Sequence, residues 1–249
     1  MLGAGVGLSN LALAGAAALS GWFLAQTASG QLLERAYKIP RPVETVPRIA
    51  VVLSGVDISM PPVLGTAPGT DLDLAYDTWY AALNRWGVFP VPVAHPIEAR
   101  DLPALWVMNP SATLDAGGQA GVADWVLQGG SLILGIRTDR FYPDAINHYL
   151  EPLGGHLEFD AETGGIDLQG LHQVEIKSPR LGLFEMQAGE GRILVVSGSE
   201  HWSRNRMGHC FTVPDIDVRS VYEGIGEVLA RCKELLPDDR RTYRLASVE

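Results

Sequence analysis

Two pairs of polar residues stand directly behind two of the most apolar runs in the chain. Arg137 and Asp139 follow GSLILGI, and Glu200 and His201 follow GRILVVSGS. Charged side chains where buried strands end often bind ligands, because the strand fixes the backbone while the loop frees the side chain. A carboxylate next to an imidazole can pass protons as an acid/base pair, or it can order loops by hydrogen bonding. A guanidinium two residues from a carboxylate can hold an anion, or the two can hold each other. His201, His209 and Cys210 with a carboxylate are metal-ligating residue types, but their spacing fits no zinc pattern; neither a metal nor another cofactor is expected. Cys210 and Cys232 are too few for a disulfide framework and lack CxxC spacing; Cys232 falls on the apolar face of a helical stretch, as a small buried thiol would. Asp71 and Asp73 open another helical stretch, where they would stabilise its N-terminus.

The elements that must position these residues alternate. RIAVVLSG (48–55) is a short β-branched run bounded by Pro and Gly, as a buried parallel strand should be. Apolar residues at helical spacing predict a helix from Asp71 to Trp86, stopped by Gly87. VFPVPVA (88–94) is a strand whose two prolines suit an edge. LPALWVMNP (102–110), a helix over 113–128 and SLILGI (131–136) continue the alternation. A helix from Pro143 to Leu150 and a turn at Gly154 and Gly155 follow. Short antiparallel strands are predicted around 156–159, 172–176 and 181–186, then a buried strand within 191–199 and a closing helix over 218–236. Such alternation predicts an α/β fold, a doubly wound and mostly parallel sheet of the amidotransferase or flavodoxin-like kind.

The first 25 residues carry no charged side chain, and about 20 apolar residues suffice to span a bilayer as a helix. Residues 1–25 are therefore read as a transmembrane helix. A cleaved signal peptide is the alternative, although it should begin with a basic residue and none precedes Arg35. Gly3 and Gly7, Ala14 and Ala18, and Ala17 and Gly21 lie four apart, the spacing that lets helices pack closely in lipid; an Ala/Gly-rich helix also matches it by chance. Residues 26–47, with Pro40, Pro42 and Pro47, form a stiff linker that would hold the following domain at the membrane surface. Arg35, Lys38, Arg41 and Arg48 on that flank bias the 48–237 domain toward the cytoplasm, with the periplasm as the other side. Residues 238–249 read as a polar tail. The formal net charge of -10 argues against nucleic acid, which needs clustered Lys and Arg.

ADWVLQGGSLILGIRTDRFYPDAINHYLEPLGGHLE (123–158) resembles the class I glutamine amidotransferase pattern: helix, GG, buried strand, the elbow GICxG, helix, LGG. With LPALWVMNP and GRILVVSGSEHWSRN, the chain is similar to the amidotransferase-like domain of membrane-anchored auxiliary subunits of gliding-motility-type ABC transport systems and related bacterial membrane proteins. In those, a run like GDSDFLSN follows the last strand; here Gly198 and Glu200 stand where aspartates are expected. The resemblance implies that Arg137 occupies the position of the nucleophilic cysteine and Asp139 that of the elbow glycine. Glu200 and His201 lie where the family carries its His-Pro-Glu, in reversed order. A guanidinium cannot replace a thiolate nucleophile.

These residues point to a pseudoenzyme: a single-pass protein of the bacterial inner membrane, acting as a non-catalytic scaffold subunit with the lipid bilayer and other membrane-protein subunits as partners. Transport, secretion, respiratory and photosynthetic complexes all fit. The alternatives are a ligand sensor using a crevice near Arg137, Asp139, Glu200 and His201, and a hydrolase using Glu200 or His201.

Overall fold

The computed structural model describes residues 46–59, 71–140, 142–160, 165–208 and 216–232, with the side chains of 159, 160, 165, 216 and 217 left aside. The predicted membrane helix and linker, with Gly3, Gly7, Ala14, Ala18 and Gly21, lie outside these residues, as do His209, Cys210 and the tail. Among the described residues no helix is long and apolar enough to cross a membrane. The chain divides into two compact units, 1–45 and 46–249, and all the described residues belong to the second.

The elements of this second unit run β1 (Arg48–Val52), α1 (Asp77–Arg85), β2 (Phe89–Val93), β3 (Ala104–Met108), α2 (Ala116–Leu127), β4 (Ser131–Ile136), α3 (Pro143–Leu150), β5 (His156–Asp160), β6 (Gly165–Gln169), β7 (His172–Val174), β8 (Gly182–Ala188), β9 (Gly191–Ser197), α4 (Arg204–Met207) and α5 (Ile216–Arg231). Seven strands form one sheet in the order β2-β1-β3-β4-β9-β8-β7. The first five are parallel; β8 and β7 extend the sheet antiparallel. The mixed, mostly parallel α/β sheet is thus as expected from the alternation.

Strand periodicity sorts the core into two layers. Ile49, Val51, Trp106, Met108, Ile133, Leu194 and Val196 point to one face, where α1 and α5 bring Trp79, Leu83, Val221, Ile225 and Leu229. Ala50, Val52, Leu105, Val107, Leu132, Leu134, Ile193 and Val195 point to the other, covered from α2 and α3 by Val122, Val126, Ile146 and Leu150. On the first face Trp79, Trp106 and Trp202 are all fully buried. Trp106 meets the other two edge-on at 4.9 and 5.4 Å between centroids, and Trp79 and Trp202 stack at 6.5 Å.

The β2 prolines fall in phase. Phe89 N–H donates to the Pro47 carbonyl and Val93 C=O accepts from Leu53 N–H, so Phe89, Val91 and Val93 turn their backbone toward β1. Pro90 and Pro92 then face outward, where a lost N–H costs nothing and the edge offers no donor to a foreign strand. At the start of β9, a Cβ on Gly191 would lie 1.9 Å from the Val126 carbonyl, so only glycine allows α2 to end so close to the sheet.

Three expectations are corrected. Helix α1 begins at Asp77, not Asp71. Asp71 Oδ1 instead accepts the Asp73 N–H at 3.0 Å, and Ser59 bonds the backbone of Leu74 and Tyr76, so a local carboxylate turn and a β-bridge compete with helix over these residues. Asp71 and Asp73 therefore do not stabilise its N-terminus. The strand expected around 156–159 pairs with β6, a strand absent from the expected set, in a separate two-stranded sheet. Helix α2 starts three residues later than expected because Asp115 caps it, its Oδ1 accepting the Gly118 N–H.

Candidate functional site

Strand β4 carries Ile133, Gly135 and Arg137 onto the face covered by α1 and α5. Arg137 is 4% exposed, although it lies one residue beyond the strand. Its Nε donates to Asp139 Oδ1 at 2.9 Å and its Nη2 to Asp139 Oδ2 at 2.7 Å, a two-pronged pair. Nη1 donates to the Asp73 carbonyl at 2.5 Å and reaches Tyr76 Oη at 3.5 Å. Burial works against its charge, but hydrogen bonds and charge from Asp139, with Tyr76 assisting, outweigh that, and Arg137 stays cationic. Tyr76 Oη in turn donates to the Ser199 carbonyl at 3.1 Å, and burial pushes its acidity far below that of an ordinary tyrosine. The guanidinium cross-links the β4 exit to the segment before α1, and Tyr76 carries the link on to the β9 exit.

The second pair divides. Glu200 accepts the Thr138 backbone N–H at 3.0 Å and its hydroxyl at 2.5 Å, so it fastens the β9 exit to the β4 exit. His201 is half-buried, and its Nδ1 is buried with no hydrogen-bond partner among the described residues. Burial, chiefly, holds its pKa below the ordinary histidine value; the charges of Glu200 and Asp139 oppose this, and those of Arg180 and Arg206 add to it. With both Glu200 oxygens turned to Thr138 and His201 Nδ1 unpartnered, the two do not form the hydrogen-bonded acid/base pair that their adjacency suggested. Gly198, which replaces an expected aspartate, has φ +84°, and a Cβ there would sit 2.5 Å from the Arg180 carbonyl.

A nucleophile elbow is a sharp, strained strand-to-helix turn. Here Asn109 is the one non-glycine with positive φ among the described residues, at +47°, and the helix after β4 waits until Pro143. Position 137 thus lacks the elbow geometry as well as the thiol.

Ligands in open α/β sheets enter where strand order reverses. That switch lies between β1 and β3, with β3 standing between it and β4, the strand that leads to Arg137. Backbone bonds tie the loops on the two sides of the switch together: Asp57 N–H donates to the Asn109 carbonyl, Ser111 and Ala112 N–H donate to the Gly55 carbonyl, and Val56 bridges to Pro110. Left-handed backbone at Asn109, which asparagine tolerates, turns the β3 exit onto its neighbour. Asp57 then accepts from Arg140 Nε at 2.8 Å and from Tyr142 Oη at 2.9 Å.

The structure thus brings Arg137 and Asp139 into contact, sets Glu200 against Thr138 and leaves His201 apart. Asp57, Asp73, Tyr76, Thr138 and Arg140 complete the arrangement and were not anticipated. Arg140 was legible as a second cation three residues on; Tyr76 and Asp73, more than sixty residues away in the chain, gave no signal. Asn205 Nδ2 donates to Asp73 Oδ1 at 2.8 Å, tying α4 to the same loop. Cys232 is buried, as expected, and burial pushes its thiol up to about 12. Among the described residues no group of His, Cys, Asp and Glu could hold a metal ion.

Asp139 makes the clamp pH-dependent. Its hydrogen bonds from Arg137, then the neighbouring cationic charge, hold its carboxyl below the ordinary aspartate value despite partial burial. A carboxyl depressed in the folded state adds stability above its unfolded pKa and loses it as pH falls through the folded value. D139N is expected to cost about 1–2 kcal/mol at neutral pH, a hydrogen-bonded charge reduced by half-exposure, and to flatten the acid limb of the urea midpoint against pH. An unaltered acid limb would assign that titration elsewhere.

No protein-family model and no curated protein matches this chain. Among solved structures, the exo-beta-1,4-mannosidase Op5Man5 from Opitutaceae bacterium strain TAV5 is similar over 66% of this chain and 33% of its own, at 12% identity and a TM-score of 0.36. The chain spans about a third of that enzyme's length. A likeness that distant carries nothing about activity, and the side chains gathered at the strand ends are the guide to what this domain does.

Proposed function

We propose that this chain is a non-catalytic, membrane-anchored scaffold subunit of a larger bacterial membrane-protein complex, built on an amidotransferase-like domain. The observation that carries the reading is the state of Arg137: where an amidotransferase needs a free nucleophile, a buried guanidinium is engaged by Asp139, Asp73 and Tyr76. Anchoring rests on the uncharged segment 1–25, with the inner membrane as the location and the domain on the cytoplasmic side. Its small residues suit packing against a helix of a neighbouring subunit.

Extraction of the full chain from its host membrane in mild detergent tests the assembly. The expected result is a membrane-fraction protein that elutes with a constant set of other polypeptides; a chain that runs alone at every concentration overturns the subunit reading. The non-catalytic part has a separate test. R137C should release no ammonia from glutamine, since the turn lacks elbow geometry and Glu200 is committed to Thr138. Glutaminase activity in that variant would show that only the thiol was missing.

A further inference from the structure

The chain leaving β2 and the chain leaving β3 enclose a cavity of about 610 Å³. His95 and Ile97 line one side, and Thr113, Leu114, Asp115 and Gly117, where α2 starts, line the other. β1 lies between β2 and β3 in the sheet, so the cavity lies beside the carboxyl end of β1, next to the point where strand order reverses. Small-molecule sites of open α/β sheets occur there, with volumes of about 300–1,000 Å³. Both walls are fixed. Ser54 Oγ donates to the Ala94 carbonyl and Glu98 accepts the Ala94 N–H at 3.3 Å, while His148 Nδ1 donates to the Leu114 carbonyl at 3.1 Å. A Cβ on Gly121 would lie 2.2 Å from Ile97 Cδ1, so that glycine lets the turn Pro96–Ala99 seat against α2. Gly117 has no such reason. The nearest atom to a Cβ there would be Asp115 Oδ1 at an ordinary 3.7 Å, and the backbone is helical, so an alanine would fit and would stabilise the fold by restricting the unfolded chain. Glycine instead keeps the cavity wall bare, as close approach of a ligand to backbone requires.

From the cavity and its bare wall we infer a binding site for a small, uncharged molecule carrying adjacent hydroxyl groups. Among the described residues that line it there is no lysine or arginine, and Asp115 contributes a carboxylate, so phosphate and carboxylate ligands are disfavoured. Asp115 Oδ1 is taken by the Gly118 N–H, which leaves Oδ2 to accept from a ligand. A threonine hydroxyl and a neutral imidazole each give and take hydrogen bonds, and ligand hydroxyls match them by doing the same, whereas an ammonium only gives. Ile97 and Leu114 supply the apolar surface for the C–H face of such a molecule. None of these residues belongs to the Arg137 network, and the site does not depend on the membrane-anchored reading.

Saturation-transfer NMR on the full chain in a deuterated mild detergent tests the site, with D-glucose, D-ribose and myo-inositol as neutral probes and propylamine and methyl phosphate as charged ones. The expected result is transfer to at least one neutral probe, several-fold weaker in G117L and unchanged in D124L, which puts the same bulk at an exposed position of α2 outside the cavity. G117A keeps the fold whatever G117L does: it should weaken the transfer about twofold while raising the thermal midpoint of the probe-free chain by about 1–4 °C. No transfer to any neutral probe, or transfer undiminished in both position-117 variants, overturns the site. Transfer to a charged probe alone overturns the ligand class. A lowered midpoint in G117A would show that the glycine serves the fold, which removes the reason for a bare wall.

Discussion

R137A should lower the folding stability of the domain by about 2–4 kcal/mol, read as a fall in the urea midpoint. Removing one member of a buried charge pair costs about 3–5 kcal/mol when the survivor stays buried, and less when it regains water. Asp139, with its side chain 53% exposed, regains water easily. The Asp73 carbonyl and the space around Tyr76 do not, since Tyr76 is fully buried. R137K keeps the charge but loses the two-pronged fork, because an ammonium cannot donate in parallel to both oxygens of Asp139 while reaching Asp73. It should recover under half of the loss. Full stability in R137A would mean that the guanidinium is held ready for something other than folding, which would revive the ligand-sensor alternative.

Trp202→Ala should be more damaging still, at about 3–5 kcal/mol for deleting a fully buried tryptophan. Trp202 packs against both Trp79 and Trp106, and its Nε1 donates to the Val221 carbonyl at 3.3 Å. The loss therefore combines transfer, cavity and a hydrogen bond that joins the β9 exit to α5. Against a total stability of about 5–15 kcal/mol, this variant should be largely unfolded at modest urea concentrations. Trp202→Phe retains much of the ring contact and should cost roughly half as much. Near-wild-type unfolding of the alanine variant would show that α5 and the sheet close over the gap.

Both variants touch what was hardest to read in advance. The strands were legible because β1, β3, β4 and β9 are runs of apolar residues too short for helices, and a parallel sheet covered on both faces demands such runs. The edge position of β2 followed from Pro90 and Pro92. β6 escaped notice because its two inward residues, Ile166 and Leu168, are too few to stand out without the partner strand. The start of α1 was misplaced because Asp71 resembles a helix opener until Ser59 binds the segment behind it.

The chemistry divides in the same way. Sequence by itself determined that no thiol stands at the end of β4, that the formal net charge is -10, and that an uncharged apolar segment precedes one containing Pro40, Pro42 and Pro47, since residue type alone decides those properties. Only the tertiary structure decided what Arg137 does. Its partners Asp73 and Tyr76 lie more than sixty positions away, and whether a guanidinium waits for a ligand or pins a loop depends on which oxygens fill its fork. The same holds at the switch point, where left-handed backbone at Asn109 turns one loop onto another. Local sequence specifies a strand and its end; the distant chain that packs there determines whether that end is a site or a seam.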